Sequence, residues 1–210
     1  MKKTIIKTAL FTALSLIFTL FLGAFSIFAF APRLSAKISY DLGMKNLSTS
    51  CYERVYHKTG ELDDLIAVID SAVYAEKEDT IIEYGTLLFN TYGSSEVFYN
   101  YCSALDASIE DGAYTTFDYY ANTVFMAMYS QGLKEEAAKF AIKNMNKYSD
   151  KSVLMMAMIL ADPTNDKPFG DLLVKTYKSL AKSVDTSKYA YFVRDMRQYK
   201  DENDKSVYNF

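Results

Sequence analysis

The chain has 210 residues, 50% of them apolar and 23% charged, with only 3 Pro and 8 Gly, a composition that folds rather than stays disordered. Its net charge of −3 offers no basic face to nucleic acid, and 1 His with 2 Cys leaves little material for a zinc, haem or iron–sulfur site. No cofactor and no metal are therefore expected.

Lys2, Lys3 and Lys7 precede a run from Thr8 to Pro32 that holds no charged residue, and Arg33 closes it. At about 1.5 Å per residue such a run crosses a hydrocarbon core of about 30 Å with some tilt. A cleaved signal peptide is the competing reading: Ala29-Phe30-Ala31 has the small-x-small form, and Leu34-Ser35-Ala36 is a poorer second candidate. Pro32 would follow the first cut and hinder it, and the run exceeds the ~7–15 apolar residues of a signal core. The reading adopted is an uncleaved signal-anchor over residues 8–32. The excess of cations before the span keeps residues 1–7 cytoplasmic and exports residues 33–210; a cleaved and secreted chain is the alternative. Past Arg33, 19 basic residues (the 23 less Lys2, Lys3, Lys7 and Arg33) face all 26 acidic ones, a balance of −7. An acidic exported domain gains nothing from an anionic lipid surface, so the helix has to be its tether.

Residues 33–200 read as one all-α domain, followed by a polar tail, 201–210, that is expected to fray. Leu62, Leu65, Ile66, Ile69 and Val73 share a helical face, with Glu61, Asp63, Asp64 and Asp70 mostly opposite. Thr80 and Glu83 have capping-box spacing ahead of Ile81, Leu87 and Leu88. Ser94 or Ser95 can cap a helix through Phe98, Cys102 and Leu105. Helices are expected from about Tyr114 to Ser130 and from Leu133 to Tyr148. Asp150 can cap a Met-rich segment, Lys151 to Ala161, which Pro163 stops. Pro168 suits the first turn of a helix through Leu173 and Leu180, and a last helix runs from about Ser187 to Lys200.

Gly60, Gly93 and Gly132 punctuate this series at spacings of 33 and 39 residues, each between two candidate helices. Tyr56, Gly60, Leu65 and Ala72 form one unit; Met128, Gly132 and Ala137 form another, with Asn144 in the place of Ala72. The unit around Gly93 carries Phe98 and Leu105 at the two later positions. In this pattern, and in a period near 34 residues, the stretch 36–148 resembles the tetratricopeptide repeat family. The resemblance implies an α-solenoid of antiparallel helix pairs, TPR-like, behind a transmembrane helix. It implies partner binding along a concave face and no particular chemistry.

Candidate chemistry is sparse. His57, with Glu53 and Glu61 four residues to either side, has the form of a carboxylate-oriented base, but it also fits the last turn of a helix, where an imidazolium is favoured by the dipole. Cys51 and Cys102 are read as buried packing residues, a disulfide between them being the less favoured alternative. Glu76, Glu78 and Asp79, and Glu110 and Asp111, read as caps and solvated turns, and Met155, Met156 and Met158 as core. No catalytic residue is identified.

The surplus lies in the tyrosines. All 18 lie beyond the span, and Tyr92, Tyr99, Tyr101, Tyr114, Tyr119 and Tyr120 crowd one stretch. Such residues bury large area at small entropic cost and are enriched at interfaces. These six are the candidate partner-binding residues. The functional expectation is a membrane-anchored, extracytoplasmic scaffold or assembly factor that binds a protein or peptide and is not an enzyme. The alternatives are a non-catalytic structural subunit of a membrane complex, for which Gly23 and Ala24 are contact candidates, and a cryptic enzyme using carboxylates and tyrosines.

Overall fold

The computed structural model describes residues 2–107, 115–144, 162–180, 193–194 and 196–210, the side chains of residues 2–6, 9 and 24 aside. The described residues form nine helices: α1 (Lys2–Phe30), α2 (Pro32–Asp41), α3 (Lys45–Thr59), α4 (Leu62–Tyr74), α5 (Glu78–Thr91), α6 (Glu96–Asp106), α7 (Thr116–Ser130), α8 (Lys134–Asn144) and α9 (Pro163–Leu180). Among them there is no strand beyond one isolated antiparallel bridge, Lys200 to Ser206. The all-α class expected from the sequence holds. The chain divides into two compact units, Met1–Lys77 and Glu78–Phe210.

In the first unit, α1 carries a stretch from Leu10 to Phe30 with a mean hydropathy of 2.3, none of it buried. It is the one described helix long and apolar enough to cross a membrane. Its hydroxyls do not disrupt it, because Thr12, Thr19 and Ser26 each donate to the carbonyl four residues back. Pro32 disfavours the helical region at the residue before it, and Ala31 accordingly leaves the helix at φ −125°, ψ 66°. Pro32 then opens α2 from a position where its missing N–H costs nothing.

α2 folds back onto α3 through Gly43, whose φ of +71° glycine adopts at the least cost. The face it buries is small and polar: Ser35, Ala36 and Ser39 lie against α3, where Ser48 and Thr49 are buried too. Ser48 Oγ donates to the Ala36 carbonyl at 3.1 Å, and Thr49 Oγ1 to the Ser71 carbonyl of α4 at 3.1 Å. Gly60 ends α3 at φ +65°, returning its N–H to the Tyr56 carbonyl at 2.8 Å. α4 then buries Leu65, Ile66, Val68, Ile69 and Ala72, each large one worth about 1.5–3 kcal/mol.

In the second unit, α5 and α6 each pack on α7, α7 on α8, and α8 on α9. Phe89 of α5 is the hub. Its ring meets Phe98, Phe117 and Phe140 edge-on at 6.0, 5.3 and 5.0 Å, which gathers α6, α7 and α8 around one aromatic group. α5 approaches α7 closely because Gly85 has no side chain; a Cβ there would overlap Val124. Ser95 caps α6 by accepting the Phe98 N–H at 3.2 Å. Thr115 caps α7 with a reciprocal box, Asp118 N–H to Thr115 Oγ1 at 3.1 Å and Thr115 N–H to Asp118 Oδ2 at 3.2 Å. Gly132, at φ +77°, turns the chain into α8.

Several boundaries differ from the sequence reading. α5 opens at Glu78, not at Thr80, because Glu76 in a left-handed conformation (φ 57°) ends α4 early and leaves Glu78 and Asp79 in the next first turn. The helix expected from Tyr114 opens at Thr116 behind its Thr115 cap, and the one expected from Leu133 opens at Lys134. Gly93 has no positive φ; the carbonyl of Phe89 leaves no space for a Cβ there. Pro163 opens a helix, its start held by Asp162, whose Oδ1 accepts the Thr164 N–H at 2.8 Å. Asp166 breaks the helical path at φ −148° and caps the longer, C-terminal part of α9, taking the Phe169 N–H at 3.0 Å, so Pro168 does occupy a first turn. The tail, expected to fray, makes contacts in the structure. Val207 N–H bonds to the Tyr199 carbonyl at 2.9 Å, and Tyr208 is 1% exposed. Residues 108–114, 145–161, 181–192 and 195 lie outside the described set, and with them Glu110, Asp111, Asp150, the Met-rich segment and half of the last expected helix.

Candidate functional site

One side of α6 borders a cleft of about 640 Å³. Its apolar floor is Phe98 from α6 and Phe117 from α7, with ring centroids 5.8 Å apart. Ser94, Ser95 and Thr115 bring hydroxyls to it, and Glu96 and Asp106 bring carboxylates. The capping residues are there for a local reason: the N-termini of α6 and α7 both open on this side, so the side chains that satisfy their first N–H groups line it. Asp106 is committed to structure, accepting both the N–H and the hydroxyl of Thr116 at 2.8 and 2.7 Å. Cys102 contributes a buried thiol whose pKa is pushed up to about 12 by burial and by the neighbouring charge of Asp106. A thiol so placed stays protonated at neutral pH, as suits a packing group. Cys51 is likewise buried and free.

The six tyrosines divide. Tyr99 lines the cleft and is 70% exposed, an aromatic ring held out on its rim. Tyr119 is also exposed, at 42%, and stacks edge-on against Tyr120 at 5.1 Å. Tyr120 belongs to the core, 4% exposed and within 6.5 Å of the Phe98 ring. Tyr92 and Tyr101 are half-buried. Tyr92 serves the α6 cap through its carbonyl, which accepts from the Ser95 N–H at 2.7 Å and the Ser95 hydroxyl at 2.8 Å. Tyr114 lies outside the described residues. Of the group, Tyr99 alone reaches the cleft among the described residues. Sequence reading missed Phe117, whose place beside Phe98 depends on the Thr115–Asp118 box that starts α7 there.

Two polar clusters lie elsewhere. Where α1 meets the rest of its unit, Arg33 lays its guanidinium on Asp64 (Nε to Oδ1 3.1 Å, Nη2 to Oδ2 2.6 Å) and on Glu61 at 2.7 Å. Thr59 Oγ1 donates to the same Asp64 at 2.6 Å. Asp64, placed by the sequence on a solvated face, is in fact buried. Burial disfavours its charge, but the Arg33 and Thr59 hydrogen bonds outweigh that and hold its pKa below the usual carboxylate range. No local signal could have paired residues 31 positions apart.

In the second unit, Asp166 accepts from the Tyr129 hydroxyl at 2.6 Å and from Lys134 Nζ at 2.5 Å. Its pKa is lowered too, burial being overcome by Lys134, Tyr129 and the Phe169 N–H. Tyr129 is pushed up to about 12, chiefly by that hydrogen bond. Since Asp166 is also the cap inside α9, the cluster ties α7, α8 and α9 together.

His57 sits exposed in the last turn of α3, as its sequence position suggested. Among the described residues no group of His, Cys, Asp and Glu could hold a metal ion. Gly23 has open space around it, and the side chain of Ala24 lies outside the described set. No protein-family model, curated protein or solved structure matches the chain.

Proposed function

We propose that this is a single-pass membrane protein whose exported helical domain is a non-catalytic scaffold, docking a protein or peptide segment in the cleft between α6 and α7. The observation that carries the reading is the rim position of Tyr99: an aromatic side chain 70% exposed beside an apolar floor of Phe98 and Phe117. A water-exposed aromatic over an apolar recess is the arrangement of an interface anchor, because covering it removes large apolar area at little entropic cost. The acidic and hydroxyl groups of the rim suit a segment that brings an apolar side chain and backbone N–H groups.

The anchor reading is supported by the unburied apolar stretch of α1 and the lysines that precede it. In this reading residues 1–7 are cytoplasmic and residues 33–210 extracytoplasmic. The TPR-like solenoid is supported by Gly60 and Gly132, which have positive φ at two of the three helix junctions where the repeat pattern puts a glycine; Gly93, at the third, does not.

Photo-crosslinking from position 99 in native membranes, with pulldown, tests the proposal. A defined partner that is lost on Phe117→Ala, with the fold intact by circular dichroism, supports it. Crosslinks that form only from α1 positions would favour a structural subunit of a membrane complex instead.

A further inference from the structure

The exit of α1 is gripped from several sides. Ser35 Oγ donates to the Ile27 and Ala31 carbonyls, both at 3.0 Å, and Arg54 of α3 reaches the Phe28 carbonyl at 3.4 Å. These carbonyls lie in the last turn of α1 and at the Ala31 joint, and the Ile27 and Ala31 carbonyls accept the Ala31 and Ser35 N–H groups as well, at 2.8 and 2.9 Å. Just beyond stands Arg33, the first cation after the apolar run, with its guanidinium forked onto Asp64. Because Thr59 also donates to Asp64, one carboxylate joins the start of α2, the end of α3 and the start of α4. The joint itself is stiff. α1 ends at Phe30 and α2 begins at Pro32, whose ring fixes its φ and restricts Ala31 before it.

We propose that Arg33, Asp64 and Thr59 form a juxtamembrane clamp that locks α2–α4 together, and that Ser35 and Arg54 hold the end of the anchor helix to the clamped helices, so that α1 stands at a fixed angle to them instead of swinging on a linker. The inference rests on the reading of α1 as a membrane span. Arg33 is the positioning residue: its planar fork meets a carboxylate through two N–H groups at once, which fixes direction as well as distance, and a lysine ammonium would not. The site lies where the apolar run ends, beside a low-dielectric layer in which such a pair is stronger than in open water.

The test uses the full chain in lipid nanodiscs, with Cys51→Ala and Cys102→Ala as background and spin labels at Leu20→Cys in α1 and Asn46→Cys in α3. Pulsed dipolar spectroscopy should give one narrow distance distribution. Arg33→Gln and Asp64→Asn should each broaden it at least twofold. A broad distribution in the parent chain, or variants as narrow as the parent, overturns the clamp. Should Asp64→Asn lower the helical content, the largely exposed Arg33 decides the matter alone. Alkaline carbonate extraction separates the two readings: a chain that washes off the membrane overturns anchor and clamp together. A chain that stays in the membrane with a broad distribution overturns the clamp and leaves the anchor standing.

Discussion

A Cβ at Gly170 would overlap the ring of Tyr208. The notch that glycine leaves in α9 is thus filled from the C-terminal segment by a side chain that is 1% exposed, met edge-on by Tyr199 at 5.9 Å and approached by Lys167 Nζ at 5.9 Å. Tyr208→Ala should destabilise the domain by about 3–5 kcal/mol, as other large aromatic truncations do. Gly170→Ala should cost about 1–3 kcal/mol by overpacking. The double variant should be no less stable than Tyr208→Ala alone, because the clash has gone. Denaturant unfolding of the four proteins checks this, and strictly additive losses would show that the two residues do not share a contact.

Gly60 presents the opposite case. A Cβ there meets nothing within 4 Å, yet φ is +65°. The cost of Gly60→Val is therefore conformational and should be about 1 kcal/mol or more, as for a side chain forced into the left-handed region at a helix end. An unchanged melting temperature would mean that the turn has another conformation and would weaken the repeat resemblance.

These glycines show what the sequence could and could not disclose. Gly60 and Gly132 were legible as turns because the chemistry is local: only glycine takes that conformation cheaply, and apolar periodicity flanks both. Gly93, read the same way, owes its place to the Phe89 carbonyl. Gly43 and Gly170 were not legible as structural features. The α2 helix ahead of Gly43 buries serines, so it carries no apolar stripe, and the partner of Gly170 lies 38 positions away. The same holds for the site. A crowd of tyrosines could be counted, but which of them stood on the rim and which in the core depended on where α6 and α7 began.

The depressed pKa values of Asp64 and Asp166 set a pH dependence. Each carboxylate binds a proton less readily in the folded chain than in the unfolded one. The stabilisation they give is therefore complete above the unfolded-chain value of about 3.9 and is lost as pH falls through the lower folded values. Asp166→Asn should be less stable than the parent at pH 7, and the gap should close as pH falls below the unfolded-chain value of about 3.9. A gap that stays constant on acidification would mean that Asp166 is not charged in its contact with Lys134.

If α1 is an uncleaved anchor, the intact mass of the membrane-extracted protein includes Lys2 and Lys3. Cleavage after Ala31 or Ala36 would give instead a chain beginning at Pro32 or Lys37, and either result would replace the anchor by a signal peptide. The first of these would also leave Ser35 without the Ile27 carbonyl it bonds at 3.0 Å.

The tyrosines give the sharpest prediction, because two members of one crowded stretch should fail in opposite ways. Tyr120 is 4% exposed and packs near Phe98, so Tyr120→Ala should destabilise the second unit by about 3–5 kcal/mol and lower partner capture only through unfolding. Tyr99 is 70% exposed, so its truncation removes little buried area and should shift stability by less than about 0.5 kcal/mol. If it anchors a bound segment, Tyr99→Ala should nevertheless weaken binding by about 1–2 kcal/mol, a fall of roughly five- to thirtyfold in affinity. Tyr119, exposed but away from the cleft, is the control: Tyr119→Ala should leave binding unchanged. Melting curves paired with quantitative pulldown separate the three. A Tyr99→Ala protein that folds normally and keeps its partner at full affinity would remove the cleft from the binding surface.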